Sequence, residues 1–276
     1  MTMTYSLDSG IDSTGSFASG SSLEYQDLNV RHSGDSHHAA GARAFHLLRD
    51  KLQIPPVDDL IDRPRLDTIL KRSMEQFPAT LISGRAGTGK TALAAAFASR
   101  EKNAAWFAVE SSDRNWPIFR RYFAEFISPE SAEDVSKVNA ASDAEFEEVE
   151  AARYLINGFI RSYREKLPIP KLLVMDDIHH IFDAEWFDDF FHLLLHSLPA
   201  ETHLLMLCRS KPPGPLWRLR SKQMLNVLDE RVIAFNESEA ERLFSARGIF
   251  AKDVRGACRT SYGRVSKLLQ FVEKPC

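Results

Sequence analysis

The sequence predicts an α/β fold: a parallel sheet sandwiched between helices, followed by a small helical lid at the C-terminus. One observation is a short apolar run at 80–82 that leads through a glycine-rich loop into an alanine-rich helix at 92–98. Another is the apolar run at 172–175, which ends in two aspartates. Further strand-like runs, at 104–109 and 203–208, alternate with segments of helical periodicity. Strands that alternate with helices in this way typically form a parallel sheet.

The loop after the first strand carries the pattern G-x-x-x-x-G-K-T, the signature of a phosphate-binding loop. Its glycines permit backbone conformations in which successive N–H groups face a phosphate, and the following helix adds its positive end. The lysine supplies a charge for the β- and γ-phosphates, and the threonine hydroxyl suits Mg²⁺. The predicted phosphate-binding residues are Gly84, Arg85, Ala86, Gly87, Thr88, Gly89, Lys90 and Thr91.

Two carboxylates, Asp176 and Asp177, end the apolar run at 172–175. Because the carboxyl ends of parallel strands line the ligand crevice, Asp176 is predicted to hold the Mg²⁺ that bridges the phosphates. Asp177 is then the candidate to orient or polarise the attacking water. His179 and His180 could form a metal site with these aspartates, but the carboxylates are better explained by the phosphate loop upstream.

Arg209, which directly follows the strand-like run at 203–208, is one further candidate site residue. A guanidinium there could sense a γ-phosphate, and a surface arginine at a strand end is the open alternative. The run 232–235 is predicted to be the last strand. Asn236 is then expected to cap a helix at 237–246, and two shorter helices complete a small helical unit.

Composition limits the organisation of the 276 residues. We predict a disordered tail rich in Ser, Gly and Asp at 1–42, an α/β domain at 43–235 and a helical lid at 236–276. A net charge of −3 argues against broad electrostatic binding to nucleic acid or membrane. The three cysteines form no metal-spaced pair, and neither a signal peptide nor a spanning segment is visible. A cytoplasmic location is therefore expected.

The order of these motifs resembles the nucleotide-binding core of MalT-like regulators, in the STAND branch of the AAA+ P-loop ATPases. The resemblance covers about residues 60–271, and its stretches are IDRPRL, GRAGTGKT, AAWFAVESSDRNWPIFRRYF, KLLVMDDIHHI, HSLPAETHLLMLCRSKPPGPLWRLR and RTSYGRVSKLL. It implies a switch that binds ATP or ADP with Mg²⁺, self-associates or engages a protein partner in its ATP form, and is reset by slow hydrolysis. By position, Arg209 is implied to be the sensor arginine, and Arg63 lies in the segment that flanks the nucleotide.

Two rival functions stay open beside this switch. One is an ATP-binding adaptor that does not hydrolyse its nucleotide, in which Asp177 performs no chemistry. The other is a small-molecule kinase, which needs an acceptor pocket and an arginine-rich lid that the sequence does not show near the loop. The family's pattern continues into winged-helix, sensor-repeat and helix-turn-helix domains. The sequence shows no repeat of about 30 to 50 residues. Direct binding to DNA is therefore not expected of this chain.

Overall fold

The computed structural model describes residues 49–58, 60–127, 148–165, 169–248 and 253–270. The tail predicted at 1–42 lies outside these residues, as does the polar, acidic stretch at 128–145. Within the described ranges, no helix combines the length and the apolar character needed to cross a bilayer.

Five strands form one sheet, and every pair of neighbours is parallel. The strands are β1 (Ala79–Ser83), β2 (Ala104–Ala108), β3 (Leu172–Asp176), β4 (His203–Cys208) and β5 (Leu225–Leu228), in the spatial order β2-β3-β4-β1-β5. The central strands β3 and β4 are buried along their whole length, because helices cover both faces of the sheet. The predicted parallel α/β fold is confirmed.

The helices supply the crossovers that parallel strands require. They are α1 (Pro64–Gln76), α2 (Lys90–Ala98), α3 (Trp116–Ile127), α4 (Glu148–Arg164), α5 (Phe187–Ser197), α6 (Gly214–Ser221), α7 (Glu230–Ile233), α8 (Glu237–Ala246), α9 (Val254–Ser261) and α10 (Val265–Gln270). Helices α1 and α2 pack on one face of the sheet, and α3 to α6 pack on the other. Neighbouring β2 residues illustrate this division, since Trp106 packs with α1 and α2 whereas Phe107 packs with α3.

The aromatic stripe of α3 belongs to the core, as its helical spacing predicts. Phe119, Tyr122, Phe123 and Phe126 are all buried, and the ring of Phe107 on β2 lies 5.7 Å from both Phe119 and Tyr122. Rings at this separation interact favourably beyond the apolar area that they bury. The stripe fixes the position of β2 and so supports the edge of the sheet beside β3.

The prediction of a last strand at 232–235 is wrong. The fifth strand is Leu225–Leu228, which pairs with β1, and the residues after it form the short helix α7. The side chain of Asp229 accepts hydrogen bonds from the backbone N–H groups of Arg231 and Val232, so this aspartate caps a helical turn. An apolar run of four residues does not distinguish a buried strand from a buried turn of helix.

Helices α8, α9 and α10 form the helical lid, around a small core of their own. That core contains Phe235, Ala240, Leu243, Phe244, Ala257 and Leu268. Asn236 caps α8 as predicted, because its Oδ1 accepts a hydrogen bond from the backbone N–H of Glu239 at 2.8 Å. The domain boundaries expected at 42/43 and 235/236 stay predictions.

Candidate functional site

The phosphate loop joins β1 to α2 at the carboxyl edge of the sheet. Gly87 and Gly89 have φ angles of +76° and +89°, a region that favours glycine and so explains why the loop needs these residues. Among the described residues, the backbone N–H groups of Gly87, Thr88 and Gly89 have no hydrogen-bond acceptor. Unpaired N–H groups at the start of a helix form a site for an anion.

Lys90 is buried at the centre of this loop, with 5% of its surface exposed. Its Nζ donates hydrogen bonds to the carbonyl oxygens of Gly84 and Arg85, at 2.6 and 3.1 Å. Burial lowers the pKa of Lys90, and the nearby carboxylate of Asp177 partly offsets that effect. The ammonium is therefore held beneath the loop, where it can face the phosphates of a nucleotide.

Thr91 and Asp176 meet as the sequence requires of two ligands of one Mg²⁺. The hydroxyl of Thr91 donates to Oδ2 of Asp176 at 2.9 Å, although 85 positions separate the two residues. Oδ1 of Asp176 accepts from the backbone N–H of Asp177 at 2.8 Å. Burial raises the pKa of Asp176, and the hydrogen bond from Thr91 opposes this rise.

Asp177 lies just beyond β3 and adopts a left-handed conformation, with φ of 54°. Because Asp177 is not in strand conformation, its side chain need not point to the face opposite that of Asp176. Both carboxylates lie near Lys90 of the loop. They nevertheless have different partners. Arg209, at the end of β4, donates to Oδ1 of Asp177 from Nε at 2.9 Å and to Oδ2 from Nη2 at 2.5 Å. Strained backbone of this kind is concentrated at functional sites.

A cavity of about 260 Å³ lies between α2 and the helical lid, beside Gly89. Its wall is mainly apolar and also includes the charged side chains of Asp67, Arg100 and Arg247. The apolar wall is formed by Leu60, Ile61, Ala92, Leu93, Ala96, Phe235, Leu243, Val265 and Leu269. An apolar cleft next to an anion site suits a flat ring that is joined to a phosphate.

Arg63 lines this cavity, but its guanidinium serves mainly to join α1 to the lid. Nη2 of Arg63 donates to Glu239 at 2.7 Å and to the carbonyl oxygen of Ile233 at 2.9 Å, and the group lies 3.8 Å from the ring centre of Phe235. Burial lowers the pKa of Arg63, and the hydrogen bond to Glu239 opposes that effect. Its Nε is buried and has no acceptor among the described residues.

Arg85 contributes to the loop through its backbone. Its side chain pairs with Glu230 on α7, with Nη2 at 2.6 Å from Oε1. Its carbonyl oxygen accepts from Lys90 and from the hydroxyl of Thr88. Ala86, the next residue, also takes part through its carbonyl group, which faces the lid.

Two residues of the lid, Arg264 and Ser266, donate hydrogen bonds to the loop, and the sequence motifs predict neither contact. Nη2 of Arg264 donates to the carbonyl oxygen of Ala86 at 2.7 Å. The backbone N–H of Ser266 donates to the carbonyl oxygen of Gly87 at 3.1 Å. The closing motif RTSYGRVSKLL contains both residues. No short motif links them to the loop, because 178 positions separate Arg264 from Ala86.

The comparisons with known proteins agree with this geometry. A family model described as "AAA ATPase domain" matches residues 62–207, which is just over half of the chain. The transcriptional regulator MalT of Yersinia enterocolitica is 28% identical over 203 residues, which cover 73% of this chain and 22% of that protein. The chain thus spans about a fifth of the length of this curated relative.

Two solved structures share the fold. A STAND signal-transduction ATPase of Pyrococcus horikoshii with a tetratricopeptide-repeat sensor has a TM-score of 0.56 at 18% identity, covering 80% of this chain and 31% of that one. A Walker-type ATPase of Pyrococcus abyssi has a TM-score of 0.50 at 14% identity, covering 78% and 67%. The resemblance to a MalT-like STAND core, which the motifs predict, is confirmed.

Proposed function

Because the chain belongs to the AAA ATPase domain family, we propose that it is a regulatory switch that binds ATP or ADP and hydrolyses ATP slowly. The observation that carries this proposal is the arrangement around the phosphate loop. Backbone N–H groups without an acceptor, the buried ammonium of Lys90 and the hydroxyl–carboxylate pair of Thr91 and Asp176 converge on one edge of the sheet. A polyanion with a bound divalent cation satisfies all three.

The donor set fits Mg²⁺. Oγ1 of Thr91 and the carboxylate of Asp176 are hard oxygen donors already in contact, and Mg²⁺ takes such ligands while keeping several waters. When bound with a nucleotide, the ion would neutralise charge on the β- and γ-phosphates. The residues' own part is to hold the cation at the end of β3 and to orient the phosphates against the loop.

The base of the nucleotide has a suitable place in the cavity between α2 and the lid. That cavity adjoins Gly89, so a base and ribose there are continuous with phosphates under the loop. The buried Nε of Arg63 can donate to an acceptor atom of the base. Since both α2 and α10 line the cavity, an occupant contacts the lid and the α/β domain together.

The Asp177–Arg209 pair suggests how hydrolysis is controlled. While both oxygens of Asp177 accept from Arg209, the carboxylate is not free to polarise a water. A γ-phosphate competes for the same guanidinium, and a released Asp177 can then act as the base or orient the water. In this proposal Arg209 senses the γ-phosphate, and Lys90 stabilises the developing charge.

The same pair is the specific observation that favours a second candidate, the non-hydrolysing adaptor. If Arg209 keeps Asp177 when ATP is bound, the chain binds nucleotide and selects a partner without chemistry. A small-molecule kinase has less support, because among the described residues a single lid arginine, Arg264, reaches the loop.

The regulatory part of the proposal is supported by the relatives. One is named as a transcriptional regulator and another as a signal-transduction ATPase, and each is longer than this chain. We extend from them only the expectation that ATP and ADP stabilise different states that differ in self-association or in affinity for a protein partner. The absence of direct contact with nucleic acid and a cytoplasmic location stay predictions.

The proposal is tested by measuring phosphate release from Mg·ATP by the full chain, with no other substrate present. Slow release above background, together with different oligomeric states in ATP and ADP on a sizing column, is the expected result. Binding without release supports the adaptor. ADP that forms only after a small-molecule acceptor is added supports a kinase, and no binding of either nucleotide contradicts the proposed function.

A further inference from the structure

The lid touches the phosphate loop at two successive peptide groups. Arg264 donates to the carbonyl oxygen of Ala86, and the backbone N–H of Ser266 donates to the carbonyl oxygen of Gly87. These carbonyls belong to the peptide planes 86–87 and 87–88. Both hydrogen bonds from the lid therefore reach the part of the loop that lies between the strand and the helix.

The N–H groups of the same two peptides belong to Gly87 and Thr88. In a planar trans peptide the N–H and the C=O point in opposite directions, and the described chain contains no cis peptide. Fixing each carbonyl against the lid thus turns each N–H away from the lid. Neither of these two N–H groups has an acceptor among the described residues.

The contact between Gly87 and Ser266 is so close that it leaves no room for a side chain at position 87. A Cβ at Gly87 would lie 2.3 Å from Oγ of Ser266, so only glycine allows α10 to approach the loop this far. The positive φ of Gly87 independently disfavours a side chain at this position. The hydrogen bond from Nη2 to Ala86 holds the guanidinium of Arg264 beside the loop, and its Nε is buried and has no acceptor in the described part of the chain.

We infer that Arg264 and Ser266 are positioning residues, which brace the phosphate loop so that its N–H groups face the phosphates of the bound nucleotide. This inference rests on the proposed function and adds to it that phosphate affinity depends on lid docking. By thermodynamic linkage, phosphate binding then stabilises the docked lid by the same factor. Neither residue needs to touch the nucleotide.

Arg264→Met tests the brace, and Lys267→Met is its matched control. Lys267 is an exposed cation on α10, three residues after Arg264, so both variants lose one positive charge from the same part of the lid. Affinities for ADP and for adenosine are measured by displacement of a fluorescent ADP. We expect Arg264→Met to bind ADP about tenfold more weakly, which is the change in affinity that the loss of one ordinary hydrogen bond produces. Its affinity for adenosine should be unchanged. Lys267→Met should match wild type for both.

The adenosine measurement separates a brace from a merely structural role. If Arg264 only keeps the lid folded, the cavity walls Val265 and Leu269 move and both ligands lose affinity equally. Such an equal loss, no loss, or tighter ADP binding by Arg264→Met would each overturn the inference while the proposed function stands. Wild-type protein that binds no ADP would contradict the proposed function itself, and the inference with it.

A second pair of variants guards against a misfolded Arg264→Met. Ser266→Pro removes the N–H that reaches Gly87, whereas Ser266→Ala keeps that N–H and removes only the hydroxyl. Ser266 is the second residue of α10, where a helix does not use its own N–H groups. With melting temperatures of the ligand-free proteins as the check on folding, Ser266→Pro should lose ADP affinity and Ser266→Ala should not. Equal ADP affinities in this pair would overturn the role of the Ser266 N–H.

Discussion

Arg209 donates two hydrogen bonds to Asp177, at 2.9 and 2.5 Å, and so joins the ends of β3 and β4 at the phosphate loop. The partner of Asp176 is different, since that carboxylate accepts from Thr91. Two adjacent aspartates are therefore committed to two different neighbours, one to a candidate magnesium ligand and one to a candidate phosphate sensor. This difference predicts different effects when each aspartate is changed.

We expect Asp177→Asn to bind ATP nearly as well as wild type and to release no phosphate. In the proposed ATP-bound state Asp177 has left Arg209 and acts on the attacking water, so the change removes stabilisation of the transition state rather than of the bound nucleotide. Steady-state phosphate release and nucleotide titration measure the two effects separately. Asp188→Asn, which breaks a surface ion pair with Arg218, is the control and should behave as wild type. Hydrolysis by Asp177→Asn at the wild-type rate would show that this carboxylate is not the catalytic group.

The ion pair of Arg63 and Glu239 should be a main contributor to the attachment of the lid. Glu239 is 1% exposed and accepts from both Arg63 and Arg65. Removing one partner of a buried pair leaves an uncompensated charge, so Glu239→Gln should lower the free energy of unfolding by about 3–5 kcal/mol. Urea denaturation measures this loss. Glu237→Gln breaks the exposed pair with Arg255 and should cost under about 1 kcal/mol; similar losses in the two variants would refute the assignment.

His203 should make the fold sensitive to acid. Its Nδ1 faces the carbonyl oxygen of Phe77 and its Nε2 faces the hydroxyl of Thr80, each at 2.9 Å, and burial lowers its pKa to about 4. The unfolded chain therefore binds this proton more readily than the folded chain. Stability should fall as the pH drops from about 6.5 to about 4, by roughly 3 kcal/mol, and this contribution should level off below pH 4.

Urea denaturation at several pH values checks the role of His203. His203→Gln should unfold more easily at neutral pH but should lose most of the slope between pH 6.5 and 4. His192→Gln removes an exposed histidine and should keep the wild-type slope. If His203→Gln also keeps that slope, another group is responsible for the sensitivity to acid.

The sequence predicts the parts of the site that depend on local pattern. The phosphate loop and the Asp176–Asp177 pair each lie in one short stretch, and their strand context places them at one edge of the sheet. The sequence places Arg209 at a strand end as a candidate phosphate sensor, but its bond to Asp177 follows from the pairing of β3 with β4, which no local pattern shows. The contacts of Arg264 and Glu239 escape such reasoning, because chain folding alone brings them to the loop and to Arg63.

Titration of the ligand-free chain with ADP and ATP, with and without Mg²⁺, tests the central claim most directly. The claim is that the loop around Lys90 is a nucleotide-phosphate site, and Lys90→Ala removes the charge that faces the phosphates. We expect wild-type protein to bind both nucleotides, and Lys90→Ala to bind ATP about ten- to a hundredfold more weakly. Lys102→Ala, which removes an exposed lysine after α2, should match wild type. Absence of binding to wild type, or equal ATP affinity for Lys90→Ala and Lys102→Ala, would contradict the account.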